Sequence, residues 1–165
     1  MGVDVINNDL TVNGTLTPRT FSPPAGFLTN AMVQASAGVS ASKLQQQRNI
    51  QYAQASGSDV AAETRPVFRC NGATGVVAAV KASIVTIPSG DKSCTIDVKK
   101  NGTTILTSTF TLDSGNTTYV AESGSISSSA LVAGDVLEVV VTIAGSTGTA
   151  PRGLLVNIVL TEDPA

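Results

Sequence analysis

The chain has 165 residues, a formal net charge of −2 and 13% charged side chains, with no histidine and no tryptophan. These figures exclude imidazole catalysis and histidine-ligated metals, and the ten Lys and Arg, never clustered beyond Lys99-Lys100, form no basic stripe for nucleic acid. No apolar run approaches the ~18 residues of a membrane span, and the opening MGVDVINND lacks the basic and apolar regions of a signal peptide, so no membrane partner and synthesis in the cytosol are expected.

Residues 1–30 read as an extended N-terminal arm. Val3, Val5, Leu10, Val12, Leu16, Phe21 and Phe27 are too apolar for a free tail, and Pro18, Pro23 and Pro24 keep the segment extended. The arm either folds over its own domain or docks on a neighbouring protein, and the seven apolar residues are the candidate contacts with a partner.

Residues 31–48 read as an Ala-, Gln- and Ser-rich linker with a short helix over Lys43–Arg48, capped by Ser40 or Ser42. From residue 49 the pattern becomes that of strands. Asn49–Gln54 alternates through Ile50 and Tyr52, SGSDVAAET forms a loop, and Arg65–Cys70 is a strand ended by Asn71-Gly72. Val76–Ile87 is a long strand closed by Pro88-Ser-Gly-Asp91.

The clearest element is the hairpin TIDVKKNGTTILTSTFTL. Cys94, Ile96 and Val98 share one face, and Leu106, Phe110 and Leu112 line one side of the return. Asn101-Gly102 sits at the tip, where a type I′ turn needs two residues with positive φ. Asp113-Ser-Gly-Asn116 then turns the chain into a short strand at Thr117–Glu122. Gly134-Asp135 leads into Val136–Ile143, and the last strand is Leu154–Thr161. Turns every ~8–12 residues predict an all-β fold, an antiparallel β-sandwich or jelly roll over residues 49–165. Ser and Thr number 37, a replacement of charge by hydroxyls that suits pleated surfaces.

Several strands are apolar on both faces. Val136 and Val140 lie opposite Leu137, Val139, Val141 and Ile143; Leu155 and Val159 lie opposite Leu154, Val156, Ile158 and Leu160. Val76, Val80 and Ile84 likewise alternate with Val77, Val85 and Ile87. With few helices to cover a second face, either the first 64 residues or other copies of the chain must do so. Val136, Val140, Leu155 and Val159 are accordingly the candidate self-association face.

Nothing catalytic stands out. Asp97, Glu122, Asp135 and Glu138 supply carboxylates, but the chain has only four Phe and two Tyr as sugar platforms, so no enzyme activity, cofactor or metal is expected. Cys70 and Cys94 read as buried free thiols, with a single bridge as the alternative.

Three segments, SAGVSASKLQQQ, DVKKNGTTILTSTFTL and SALVAGDVLEVVVTIAGSTG, resemble the trimeric head decoration (cement) proteins and short head-fibre subunits of tailed bacteriophages, over roughly residues 30–160. DLTVNGTLT separately resembles repeat-like segments of phage fibres and adhesins. The first resemblance implies a homotrimer on the outer capsid surface of the virion, with the major capsid protein as partner, that locks neighbouring subunits of the expanded shell. The second keeps open a head or tail fibre subunit for receptor or glycan binding.

Overall fold

A computed structural model describes residues 45–164. The arm residues Val3, Val5, Leu10, Val12, Leu16, Phe21 and Phe27 lie outside that range. The strands are β1 (Gln46–Ala53), β2 (Glu63–Arg69), β3 (Thr74–Ser83), β4 (Ser93–Lys100), β5 (Thr103–Thr104), β6 (Phe110–Leu112), β7 (Glu122–Gly124), β8 (Ala130–Val132), β9 (Val136–Ala144) and β10 (Leu155–Glu162). Among the described residues there is no helix.

The strands form two antiparallel sheets. The first runs β1-β10-β3, with β7 and β8 sharing the far edge of β3; the second runs β2-β9-β4, with β5 and β6 sharing the far edge of β4. Taking each shared edge as one broken strand, the chain is a single long hairpin. β4 pairs with β5 and β6, β3 with β7 and β8, β2 with β9, and β1 with β10. Rolled up so that β10 meets β3 and β9 meets β4, this is a jelly roll. The expected all-β antiparallel sandwich is what the chain forms.

The tip of that long hairpin is Asn101-Gly102, at φ 50° and 83°. Asparagine and glycine tolerate this left-handed region, so the turn twists with its strands and does not splay them. The Asn101 side chain also donates to the Asp135 carboxylate at 2.7 Å and accepts from the Val136 N–H at 2.9 Å, which pins the tip to the turn before β9.

Alternation in β4, β9 and β10 sends one face inward. Cys94, Ile96 and Val98, then Leu137, Val139 and Val141, then Val156, Ile158 and Leu160, are buried with Leu106, Leu112, Leu131 and Leu154. Each such side chain contributes about 1.5–3 kcal/mol of burial free energy. β3 departs from alternation: its register against β10 skips Ala78, a bulge that places Val77, Val80 and Ile84 all in the core. Its second apolar face was thus partly an effect of counting by twos.

The gaps between β5 and β6 and between β7 and β8 close one edge of the sandwich. There Leu106 and Ile126 bridge, the Thr107 N–H donates to the Ser125 carbonyl, and the Ser127 N–H donates to that of Ile105, both at 2.8 Å. On the opposite edge Pro66 sits within β2, an edge strand that tolerates the missing N–H.

Two expected elements are corrected. Gln46–Arg48, placed in a helix through Lys43–Arg48, begins β1, because Gln46, Gln47 and Arg48 pair with Glu162, Thr161 and Leu160. Lys43 and the proposed caps lie outside the described residues. Thr117–Glu122 is a turn region and not a strand: the Val120 N–H closes onto the Thr117 carbonyl, and β7 begins only at Glu122.

Cys70 and Cys94 are both buried and free. Burial pushes the Cys94 thiol up to about 12, and burial together with the Glu162 carboxylate raises that of Cys70. Neither should react with a thiol reagent at pH 8 until the protein unfolds; prompt labelling of two thiols in the native protein would contradict this packing.

Candidate interaction surface

Cross-strand partners share a face, so the pairings define what each sheet shows to solvent. The first sheet turns outward Gln47, Asn49, Gln51 and Ala53 from β1 and Leu155, Asn157, Val159 and Thr161 from β10. Val76, Ala79, Lys81 and Ser83 follow from β3, with Ser123, Ala130 and Val132 beside them. Lys81 is the one charge in that set. The second sheet turns outward Thr64, Pro66 and Arg69, then Val136, Glu138, Val140 and Thr142, then Thr95, Asp97 and Lys99. It therefore carries charges of both signs, and Val140 lies between Thr64 and Asp97.

The four candidate self-association residues are thus split. Val136 and Val140 lie on the second sheet and are half-buried; Leu155 and Val159 lie on the first, across the sandwich from them. The structure does not bring the two pairs together.

Among the described residues, the exposed large apolar side chains lie on or beside the first sheet. Val76, Val132 and Leu155 are on the outer face of the first sheet, and Tyr119 and Val120 are in the loop that enters β7 at its edge. Tyr119 is 74% exposed, and its φ of 63° is one that non-glycine residues seldom adopt. Its N–H donates to the Ile84 carbonyl at 3.0 Å, which holds the backbone in place and the ring outside.

Next to this loop, a cavity of about 120 Å³ opens on the first sheet, lined by Lys81, Ala82, Ser83, Ala121, Leu155 and Asn157. Asn157 Oδ1 is buried without a hydrogen-bond partner. An unmatched buried acceptor costs roughly 1–3 kcal/mol. Sequence reasoning passed over both features. A lone Asn within LLVNIVL was a readable signal; nothing in Thr-Thr-Tyr-Val announced a left-handed residue.

The polar clusters elsewhere hold turns together. Glu162 is buried, and its Oε1 accepts the backbone N–H of Asn71 and Gly72 at 2.9 and 3.1 Å while Arg48 pairs with the other oxygen. Burial alone would raise this carboxyl, but the two backbone donors and the Arg48 guanidinium outweigh it and hold it below its ordinary value. A cavity of about 180 Å³ beside it is lined by these residues with Gln46, Asp163 and Pro164. Asp91 accepts from the backbone N–H and hydroxyl groups of Ser146 and Thr147, which lowers its pKa and ties the β3–β4 loop to the β9–β10 loop. The Val132 N–H, with Asn101 and Lys100, lowers Asp135.

The candidate carboxylates are dispersed. Asp97 accepts from the Thr104 hydroxyl and Glu122 from the Asn116 amide, while Asp135 holds its turn and Glu138 faces out from the second sheet. The Asp113–Asn116 segment uses its own oxygens: Asp113 Oδ1 accepts the Gly115 N–H and Asn116 Oδ1 that of Asp113. Among the described residues no group of three or more His, Cys, Asp or Glu could hold a metal ion.

No family model matches the chain. No curated protein matches it either. Among solved structures it is similar to a chain described as Desmodium yellow mottle tymovirus, with a TM-score of 0.31 and 11% identity over 99% of this chain and 96% of that one. A likeness so loose carries no functional argument, and the function is argued from the chain's own residues.

Proposed function

We propose that this protein is a structural protein of a tailed-phage virion, a decoration (cement) protein that binds the outer surface of the head as a homotrimer and stabilises it. The resemblance of the segments at Ser36–Gln47, Asp97–Leu112 and Ser129–Gly148 supports the family. The observation that carries the reading is the asymmetry of the jelly roll. One outer face is sparsely charged, rich in amides and set with exposed Val76, Val132 and Leu155, the kind of face a soluble protein covers with a partner. A low-charge body of this kind suits a role in which many copies lie side by side on a shell.

In this reading the arm supplies the grip on the major capsid protein through Val3, Val5, Leu10, Val12, Leu16, Phe21 and Phe27. Burying Phe21 and Phe27 would add about 1.5–3 kcal/mol each before ordering costs, roughly tenfold or more in affinity per residue. Deleting residues 2–28 should leave the β body folded but unable to decorate purified heads in a sedimentation assay. Undiminished binding by the truncated chain would move the contact to the body. A head or tail fibre subunit is the second reading, favoured by exposed Tyr119 at a loop, where an aromatic ring can stack on a sugar. Copy number separates the two: hundreds per particle for a cement protein, few for a fibre.

A further inference from the structure

We propose that residues 9–17 of one copy add as a further strand to the outer edge of β1 in a neighbouring copy. The inference rests on the self-association part of the function above and names its contact. It assigns Leu10, Val12 and Leu16 to that contact and leaves Phe21 and Phe27 to the capsid protein. The sandwich has four edges, and three are blunted. β2 carries Pro66 and a register break after it, while the edges made by β5 with β6 and by β7 with β8 are interrupted and bridge each other through Leu106 and Ile126. β1 is unlike them: eight residues long, without proline, and in unbroken register with β10. The Gln54 N–H donates to the Leu154 carbonyl, so in an antiparallel ladder Gln46, Arg48, Ile50 and Tyr52 are the residues that bond to β10. The N–H and C=O groups of Gln47, Asn49, Gln51 and Ala53 therefore point to the outer edge, and among the described residues none of them is paired.

The sequence of the arm fits that edge. In DLTVNGTLT, residues 9–17, Leu10, Val12, Gly14 and Leu16 alternate with Asp9, Thr11, Asn13, Thr15 and Thr17. Added beside β1, the apolar set continues the inner face, where Ile50 is half-buried, and the hydroxyls and amide continue the outer face of Gln47, Asn49 and Gln51. The connection favours a neighbouring copy. Residues 18–45 number 28 and include Pro18, Pro23 and Pro24. Extended at ~3.1 Å per residue, such a length reaches roughly 85 Å, against a radius of gyration of roughly 14 Å for a domain of this size. A return onto the same edge needs only about two to five residues, and connections beyond ~12–15 are uncommon within a compact domain. Donor strand and acceptor edge are different surfaces, so the contact is heterologous. Each copy gives one strand and receives one, and a closed ring of three satisfies every copy.

The test is sedimentation of the full chain and its variants at micromolar concentration, with thermal melts and binding to heads alongside. The full chain should be a trimer. Asn49→Pro removes an outward N–H and sets a ring against the edge but leaves the β10 ladder whole. It should melt close to the parent and associate roughly tenfold or more weakly. Val12→Asp, in the arm, should weaken association as much, and tests the contact even if Asn49→Pro unfolds. One variant keeps an intact arm and the other an intact edge, so an equal mixture should recover a one-to-one pair. A monomeric parent, or variants that associate as tightly as the parent, would overturn the strand exchange. So would a mixture without the pair, because arm and edge would then not meet between copies. A monomeric parent that still coats heads refutes the exchange and leaves the decoration reading standing; a trimer that ignores heads does the reverse.

Discussion

Glu162→Ala should cost about 2–3 kcal/mol of stability, because it strips two backbone N–H groups of a charged acceptor in a partly buried turn. Those donors are the Asn71 and Gly72 amides. A Cβ on Gly72 would already lie 2.2 Å from the Asp163 carbonyl, so the turn has no freedom to close over the gap. In a thermal melt the loss should read as a fall of roughly 5–10 °C in Tm for a chain of this size. The pH dependence has a definite sign. The folded-state pKa of Glu162 lies below its ordinary 4.5, so its contribution is complete above that value and is lost as pH falls through the lower folded value. Glu162→Gln should therefore flatten the stability profile below about pH 4.5, while Asp135 and Asp163, whose pKa values are also lowered, keep part of the acid sensitivity. Parallel acid profiles for parent and Gln variant would remove Glu162 from that role.

Gly145→Ala should destabilise by about 3–4 kcal/mol, the sum of left-handed backbone strain and a steric clash. Gly145 has φ 91°, and an added Cβ would stand 2.2 Å from the Asp91 carbonyl oxygen and 2.7 Å from the Lys92 nitrogen. Both neighbours are backbone, so relief requires the two loops that Asp91 clasps to part. Gly102→Ala is the control. Its φ of 83° is similar, but nothing lies within 4 Å of the new Cβ, and only the strain of about 1–2 kcal/mol remains. Chemical denaturation of both variants measures the difference directly. Equal losses would mean that the loop clasp is slack and the backbone angle alone requires glycine.

What was legible in the chain was what depends on near neighbours. The hairpin tip at Asn101-Gly102, the inward faces of β4, β9 and β10, and the all-strand character follow from turn chemistry and a period of two, both local properties. What failed did so where a distant partner overrules the local pattern. Gln46–Arg48 has ordinary helical propensity but takes its hydrogen-bonded partners from Leu160–Glu162, more than a hundred residues away, and becomes the edge strand of a sheet. Ala78 breaks alternation in β3 only because β10 sets the register across from it.

The candidate surface was half readable for the same reason. Period two correctly turned Val136, Val140, Leu155 and Val159 away from the core, but could not say that β9 and β10 belong to different sheets. That assignment is made when the long hairpin rolls up, and it sets the first pair among charged neighbours and the second beside Val76, Asn157 and the cavity. Tyr119 stands at the third position of the Thr117–Val120 turn, where a positive φ is accommodated, but no glycine or asparagine there marks it in the sequence. Its conformation is held by a hydrogen bond to Ile84, so the ring's exposure, like the grouping of the apolar residues on one face, is decided by tertiary contacts between segments far apart in sequence.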